Sequence, residues 1–229
     1  MEPSSPAPVP ESLWDQLGPI EREKVIVDDL VLAIEHPQES RGLLDHPAVH
    51  RAYVQDEYMP YWTELWPASR MLAKVIRRET WTPGTTVVEI GCGLGLPGIV
   101  ALSMGLSVTF TDYDGCALRF AAQNARLNGF TDFRCLQLDW RNPPEDLSAS
   151  VILAADIVYE TRHVAPILTC IKKILDPAGF CLLTDLDRLP AGFLAQALAE
   201  EGLKFTTSIV RAGEPSGRRL RGTLYRITR

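Results

Sequence analysis

The chain has 229 residues, 46% of them hydrophobic and 23% charged, with a formal net charge of −6. That length holds one α/β domain with a full core and a modest extension. The acidic balance argues against a nucleic-acid binder held by phosphate contacts, and no apolar run is long enough to span a bilayer.

Five cysteines (Cys92, Cys116, Cys135, Cys170 and Cys181) lack C-x-x-C spacing and read as small hydrophobes of a reduced compartment. His36, His46, His50 and His163 form no metal-ligand spacing, so no metal is expected.

Residues 1–10 are rich in Pro and Ser, with no basic stretch leading into an apolar core. They read as a disordered tail, and the expected location is cytoplasmic. Residues 11–80 precede the regular pattern. Within them, Val25 to Ile34 has the character of an edge strand, Asp56 to Pro67 is dense in aromatics, and Ala68 to Arg78 has helical spacing. The segment is too small for a second core and is expected to form a lid on a domain spanning 81–229.

Strands and helices then alternate. Thr86 to Ile90 reads as a strand, Pro97 to Met104 as a short helix, and Ser107 to Thr111 as a second strand ending in Asp112. A helix from Asp114 to Asn128 is capped by Gly129, with Asp114 as its N-terminal acid. Strands at Phe133 to Leu138, Val151 to Ala155 and Phe180 to Thr184 follow, with a helix from about Arg162 to Leu175 before the last. A helix from Ala191 to Glu201 leads to two alternating runs, Lys204 to Val210 and Leu220 to Ile227, separated by Gly213, Pro215 and Gly217. The expectation is an α/β fold: a doubly wound, seven-stranded, mostly parallel sheet closed by a C-terminal antiparallel hairpin.

The first strand carries Glu89 and runs into Gly91, Gly93 and Gly95 at alternate positions. A dinucleotide fingerprint, G-x-G-x-x-G, needs its third glycine at position 96, which is Leu96. The segment instead resembles the E-x-G-x-G-x-G loop of class I S-adenosylmethionine-dependent methyltransferases. Their cofactor has no phosphate, and its methionine tail asks for backbone amides beside a negative charge, which Glu89 suits. Cys92 and Leu96 lie in the same loop and count as cofactor candidates with the glycines.

Ligands of open α/β sheets bind outside the carboxyl ends of the strands. Glu89, Asp112, Asp139 and Asp156 each stand at such an end. Asp112 lies 21 positions after Gly91, the spacing at which an acid accepts the ribose hydroxyls, with Tyr113 beside it. Asp139 and Trp140 are placed to meet the adenine amine and ring.

Three stretches sharpen the resemblance: Tyr61-Trp62-Thr63-Glu64-Leu65-Trp66-Pro67-Ala68-Ser69, the glycine loop, and Ala155-Asp156-Ile157-Val158-Tyr159 with its D-x-x-Y pattern. Over residues 58–229 the chain looks like the family 16 and electron-transfer-flavoprotein-type protein-lysine methyltransferases. The resemblance implies that Trp66 covers the cofactor and Ala155 adjoins it. It also implies that Asp156 and Tyr159 line the methyl-transfer pocket as catalytic residues, and that the product is S-adenosylhomocysteine. The acceptor implied is a protein lysine, with a small-molecule amine or N-heterocycle as the alternative, and the expected state is a monomer. A methyltransferase-like module that binds without catalysis is the rival from another class. Six arginines (Arg211, Arg218, Arg219, Arg221, Arg226 and Arg229) cluster near the C-terminus, as either a solvated hairpin or a docking surface for an acidic partner.

Overall fold

The computed structural model describes residues 14, 17–38, 43, 45–187, 193–213 and 217–229. The expected tail at 1–10 and the expected helix start at Ala191 lie outside the described residues.

Seven strands form the main sheet: β3 (Thr86–Ile90), β4 (Ser107–Asp112), β5 (Arg134–Gln137), β6 (Ala149–Ala155), β7 (Leu175–Asp185), β8 (Lys204–Gly213) and β9 (Arg219–Thr228). Their order is β5-β4-β3-β6-β7-β9-β8. The first five are parallel, whereas β9 runs antiparallel to both β7 and β8, the closing hairpin read from the sequence. The chain winds outward from β3 through β4 to β5, then returns to lay β6 on the other side of β3. The crevice of a doubly wound sheet opens at this reversal, between β3 and β6.

Both faces of the sheet are covered, so the central strands are buried on each side. In β3, Val87 packs into one apolar layer while Val88 and Ile90 pack into the other, the two-residue period of a strand. The first layer is built with helices α2 (Pro67–Arg78), α3 (Leu96–Ser103) and α4 (Gly115–Leu127), through Leu72, Ile76, Ile99 and Phe120. The second is built with α5 (Thr161–Ile174) and α6 (Leu194–Glu200), through Ile167, Ile171, Leu194 and Leu198. All eight are fully buried, and each such side chain stabilises the fold by about 1.5–3 kcal/mol.

The N-terminal region differs from expectation. Val25 to Ile34 is not one edge strand but the middle of a hairpin, β1 (Ile20–Val27) and β2 (Leu30–Pro37), which forms its own two-stranded sheet. Its turn is Asp28-Asp29, with Asp28 at φ 54°, a left-handed conformation that a short polar side chain tolerates. The inward residues Val25, Val27, Leu32 and Ile34 join the first apolar layer. Two asparagines of α4 hold β2 in place. Asn124 accepts from Glu35 N (2.7 Å) and donates to Glu35 O (3.1 Å) and Leu94 O (3.0 Å); Asn128 accepts from Ala33 N (3.0 Å) and donates to Ala33 O (2.8 Å). Asp28 and Asp29 also pair with Arg78 and Arg77 at the end of α2, each at 2.7 Å. A helix absent from the sequence expectation, α1 (Pro47–Asp56), follows, and then a short 3-10 turn, Tyr61–Thr63.

One boundary in the main sheet also moves. β7 starts at Leu175, before the Asp176-Pro177-Ala178-Gly179 stretch read as a break. Its backbone crosses β6 so closely that a Cβ on Gly179 would lie 2.5 Å from Ser150 O. Glycine there reports close approach, not chain reversal.

Candidate active site

Outside the carboxyl ends of β3, β4 and β6 lies a cavity of about 280 Å³. Every candidate from the sequence lines it: Trp66, Glu89, Gly91, Cys92, Gly93, Gly95, Leu96, Asp112, Tyr113, Asp139, Trp140, Ala155, Asp156 and Tyr159. Among the described residues of the 11–80 extension, the lining comes from residues 57–69 and none from the β1–β2 hairpin.

The floor is the loop from β3 to α3, where Gly91, Gly93 and Gly95 take φ of +63°, +50° and +82°. At Gly91 a Cβ would also lie 2.7 Å from Ile157 Cγ2, so both space and torsion demand glycine. Gly95 caps α3 in the left-handed region, with Ala121 Cβ only 2.9 Å from where its own Cβ would be. Beneath the loop, Glu89 Oε2 accepts from Gly98 N at 2.9 Å, a tertiary substitute for a side-chain cap at the third helical residue. Glu89 is 2% exposed, and burial holds its carboxyl well above the usual range. It therefore serves the helix start as well as the cavity wall, a role its strand-end position did not announce.

The wall over β4 is polar. Asp112 Oδ2 accepts from Gly93 N (2.9 Å) and Oδ1 accepts from Asp114 N (3.0 Å). Burial outweighs these bonds and pushes its carboxyl up to about 6. Asp114 caps α4, accepting from Cys116 N at 2.7 Å, as read from the sequence. It also accepts from the Tyr58 hydroxyl, a contact across 56 positions that no local pattern announces. Next along the sheet edge, Asp139 holds Arg141 through Oδ1, which accepts from Arg141 N (2.9 Å) and Nε (2.8 Å). The Arg141 guanidinium lies 5.5 Å from the Tyr113 ring centre.

The remaining wall is a chain of rings: Trp66–Tyr61 at 6.1 Å between centres, Tyr61–Tyr159 at 5.0 Å, Tyr159–His163 at 5.0 Å and His163–Trp140 at 5.4 Å. The Tyr61–Tyr159 and Tyr159–His163 contacts are edge-to-face, the arrangement that ring quadrupoles favour. Trp66 Nε1 donates to Tyr61 O at 2.7 Å, which fixes the lid segment's turn. Burial raises the Tyr159 phenol, so it stays protonated at neutral pH. Asp156 is 7% exposed and sits at φ 61°, just past the end of β6, where its N–H donates to Thr184 O at 2.9 Å. A non-glycine residue held there is a local strain of the kind found at functional sites. Arg162 bridges Glu57 (3.1 Å) and Glu160 (2.6 Å) at the mouth. His163, weighed from sequence only as a metal ligand, proves to be part of this wall.

A profile of the lysine methyltransferase family, methyltransferase family 16, matches residues 55–192. The chain belongs to that family. The matched span takes in the aromatic segment 57–69, the glycine loop and all four strand-end acids. S-adenosylmethionine is the family's cofactor, and the residues present fit it: a glycine loop that admits no side chain at Gly91, a half-buried carboxylate at the end of β4, and an aromatic wall.

Among curated relatives, the ribosomal protein L11 methyltransferase of Serratia proteamaculans is 31% identical over 132 residues, 57% of this chain and 43% of that protein. The human histone-arginine methyltransferase METTL23 is 31% identical over 120 residues, 48% of this chain and 62% of that one. The chain thus spans about half the length of the curated relatives it matches. Among solved structures, the ribosomal protein L11 methylase of Lactobacillus delbrueckii superposes with a TM-score of 0.56 at 23% identity, over 71% of this chain and 78% of that one. A TehB-like methyltransferase of Corynebacterium glutamicum gives 0.55 at 16% identity, over 80% and 100%. These superpositions concern the fold.

Proposed function

We propose that the protein transfers a methyl group from S-adenosylmethionine to the side-chain amine of a lysine in a partner protein. One observation carries the acceptor assignment: the buried Asp156, the edge-to-face Tyr61–Tyr159 pair and the carboxylates of Glu57, Glu64 and Glu160 line one cavity. Ring faces and carboxylates together favour a slender cation. The family match supports the same reading.

In this reading the glycine loop and Asp112 hold the amino-acid tail and ribose, Asp139 and Trp140 face the adenine, and Trp66 covers the cofactor. When bound, S-adenosylmethionine supplies a methyl group made electrophilic by its positively charged sulfur. The protein's own work is then positioning and drying. Tyr61, Trp66 and Tyr159 exclude water and attract positive charge, worth about 0.5–2 kcal/mol per ring. Asp156 orients the incoming ammonium and takes up its proton as the amine becomes nucleophilic. The protonated Tyr159 phenol accepts a hydrogen bond from that nitrogen and aligns its lone pair. Such near-attack alignment lowers a barrier by up to about 7–11 kcal/mol.

Among the described residues no helix is long and apolar enough to cross a membrane. The five cysteines are free thiols, which supports action in the cytoplasm. The test is to incubate the protein with a cell lysate and S-adenosylmethionine radiolabelled in its methyl group, then separate the products on a gel. Label in a protein band, mapped to lysine by mass spectrometry, is the expected result. Label confined to the small-molecule fraction, or mapped to arginine, refutes the lysine assignment.

A further inference from the structure

The lid and the cofactor side of the cavity are joined by a closed circuit of contacts. The Trp62 indole N–H donates to the Tyr58 hydroxyl oxygen at 3.1 Å, and the Tyr58 hydroxyl donates to Asp114 Oδ2. The Asp114 amide donates to Asp112 Oδ1 at 3.0 Å, and Asp112 Oδ2 accepts from the Gly93 amide at 2.9 Å. The circuit closes where Gly93 passes under Trp62, whose Cα would lie 3.6 Å from a Cβ at that position. Asp114 is 1% exposed and Trp62 6%, so these links run through the interior.

We propose that Tyr58 and Asp114 are positioning residues that couple the lid to the cofactor pocket. The inference rests on the methyltransferase reading above. Tyr58 and Trp62 belong to the same short segment as Tyr61, which packs on Tyr159. Asp112 and Gly93 belong to the cofactor end. A ligand that engages Asp112 therefore fixes the Gly93 and Asp114 amides bonded to it, then Tyr58, and through them the Tyr61–Tyr159 wall. Cofactor binding therefore steadies the wall of the acceptor pocket. The coupling is reciprocal: a lid that has lost its tie must weaken cofactor binding. Burial raises both the Tyr58 phenol and the Asp114 carboxyl, in keeping with a proton held in the bond between them.

The test is calorimetric titration with S-adenosylhomocysteine of wild type, Tyr58→Phe, Asp114→Asn and the double variant, with the unfolding midpoint of each measured without ligand. Tyr58→Phe keeps the ring and loses the tie, while Asp114→Asn retains an oxygen for the Cys116 amide. The expected result is an affinity weakened about tenfold in each single variant and no further in the double, because both remove one link. S-adenosylhomocysteine should also protect residues 57–66 from proteolysis in wild type and not in Tyr58→Phe. Singles that bind as wild type, or effects that multiply in the double, overturn the coupling while leaving the methyltransferase reading intact. Wild type that does not bind at all overturns both.

Discussion

Asp112 provides a sharp test, because its carboxyl is pushed up to about 6 and it is the acid we propose to accept the ribose hydroxyls. An ionised carboxylate accepts from both hydroxyls, whereas a protonated one offers a donor where an acceptor is wanted. If only the ionised form binds, the apparent Kd grows about twofold at pH 6 and about tenfold at pH 5 relative to pH 7.5, a loss of about 1.4 kcal/mol. Titration with S-adenosylhomocysteine across that range reads it directly. At pH 6 binding should also release about half a proton, seen as an enthalpy that depends on the buffer. Asp112→Asn should weaken binding at pH 7.5 and flatten the profile. The ligand-free protein should move the other way. A carboxyl raised from 3.8 to about 6 stabilises the fold fully below the lower value, and that contribution is lost as pH rises through the upper one. For this group alone it amounts to about 2–3 kcal/mol, and buried Glu89 and Asp114 are raised in the same direction. An affinity constant within twofold from pH 7.5 to 5 would refute the assignment of Asp112 to the ribose.

Three further outcomes are expected. Asp156→Ala should cut turnover on a confirmed acceptor by about a hundredfold or more, the usual size of a proton-transfer contribution, while S-adenosylhomocysteine affinity stays within about threefold; unchanged turnover removes Asp156 from the chemistry. Gly91→Ala forces a methyl group against Ile157 at an unfavourable torsion. It should lower stability by about 1–3 kcal/mol in urea unfolding, with cofactor affinity falling alongside. Asn124→Ala strands the Glu35 amide and two carbonyls in the interior and should cost about 2–3 kcal/mol. A shift below 0.5 kcal/mol would mean that the hairpin docks by apolar contact alone.

What the sequence revealed was local. Alternating glycines, acids at strand ends and the two-residue period of the central strands are written in neighbouring positions, and the fold carries them straight to one cavity. The missing parts depend on partners far along the chain. The β1–β2 turn escaped because Asp28-Asp29 lacks the glycine or asparagine that usually marks a two-residue hairpin, and because its inward face is satisfied only by distant parts of the first apolar layer. Tyr58 acquires its role from Asp114, 56 positions away, and the ring of His163 from Tyr159 and Trp140. Glu89 was legible as a strand-end acid but not as the cap of α3, since the bond to Gly98 exists only after the loop has turned.

The two asparagines that grip β2 have a consequence beyond stability. Four residues advance a helix by about 6 Å and two residues advance a strand by about 6.8 Å, so Asn124 and Asn128 match the repeat of Ala33 and Glu35. The helix thereby impersonates a third strand, and an edge that would otherwise invite a foreign chain is sealed from within the molecule. That match also fixes the hairpin's length: a single residue inserted before Leu32 would throw both amides out of step and turn Leu32 and Ile34 toward water.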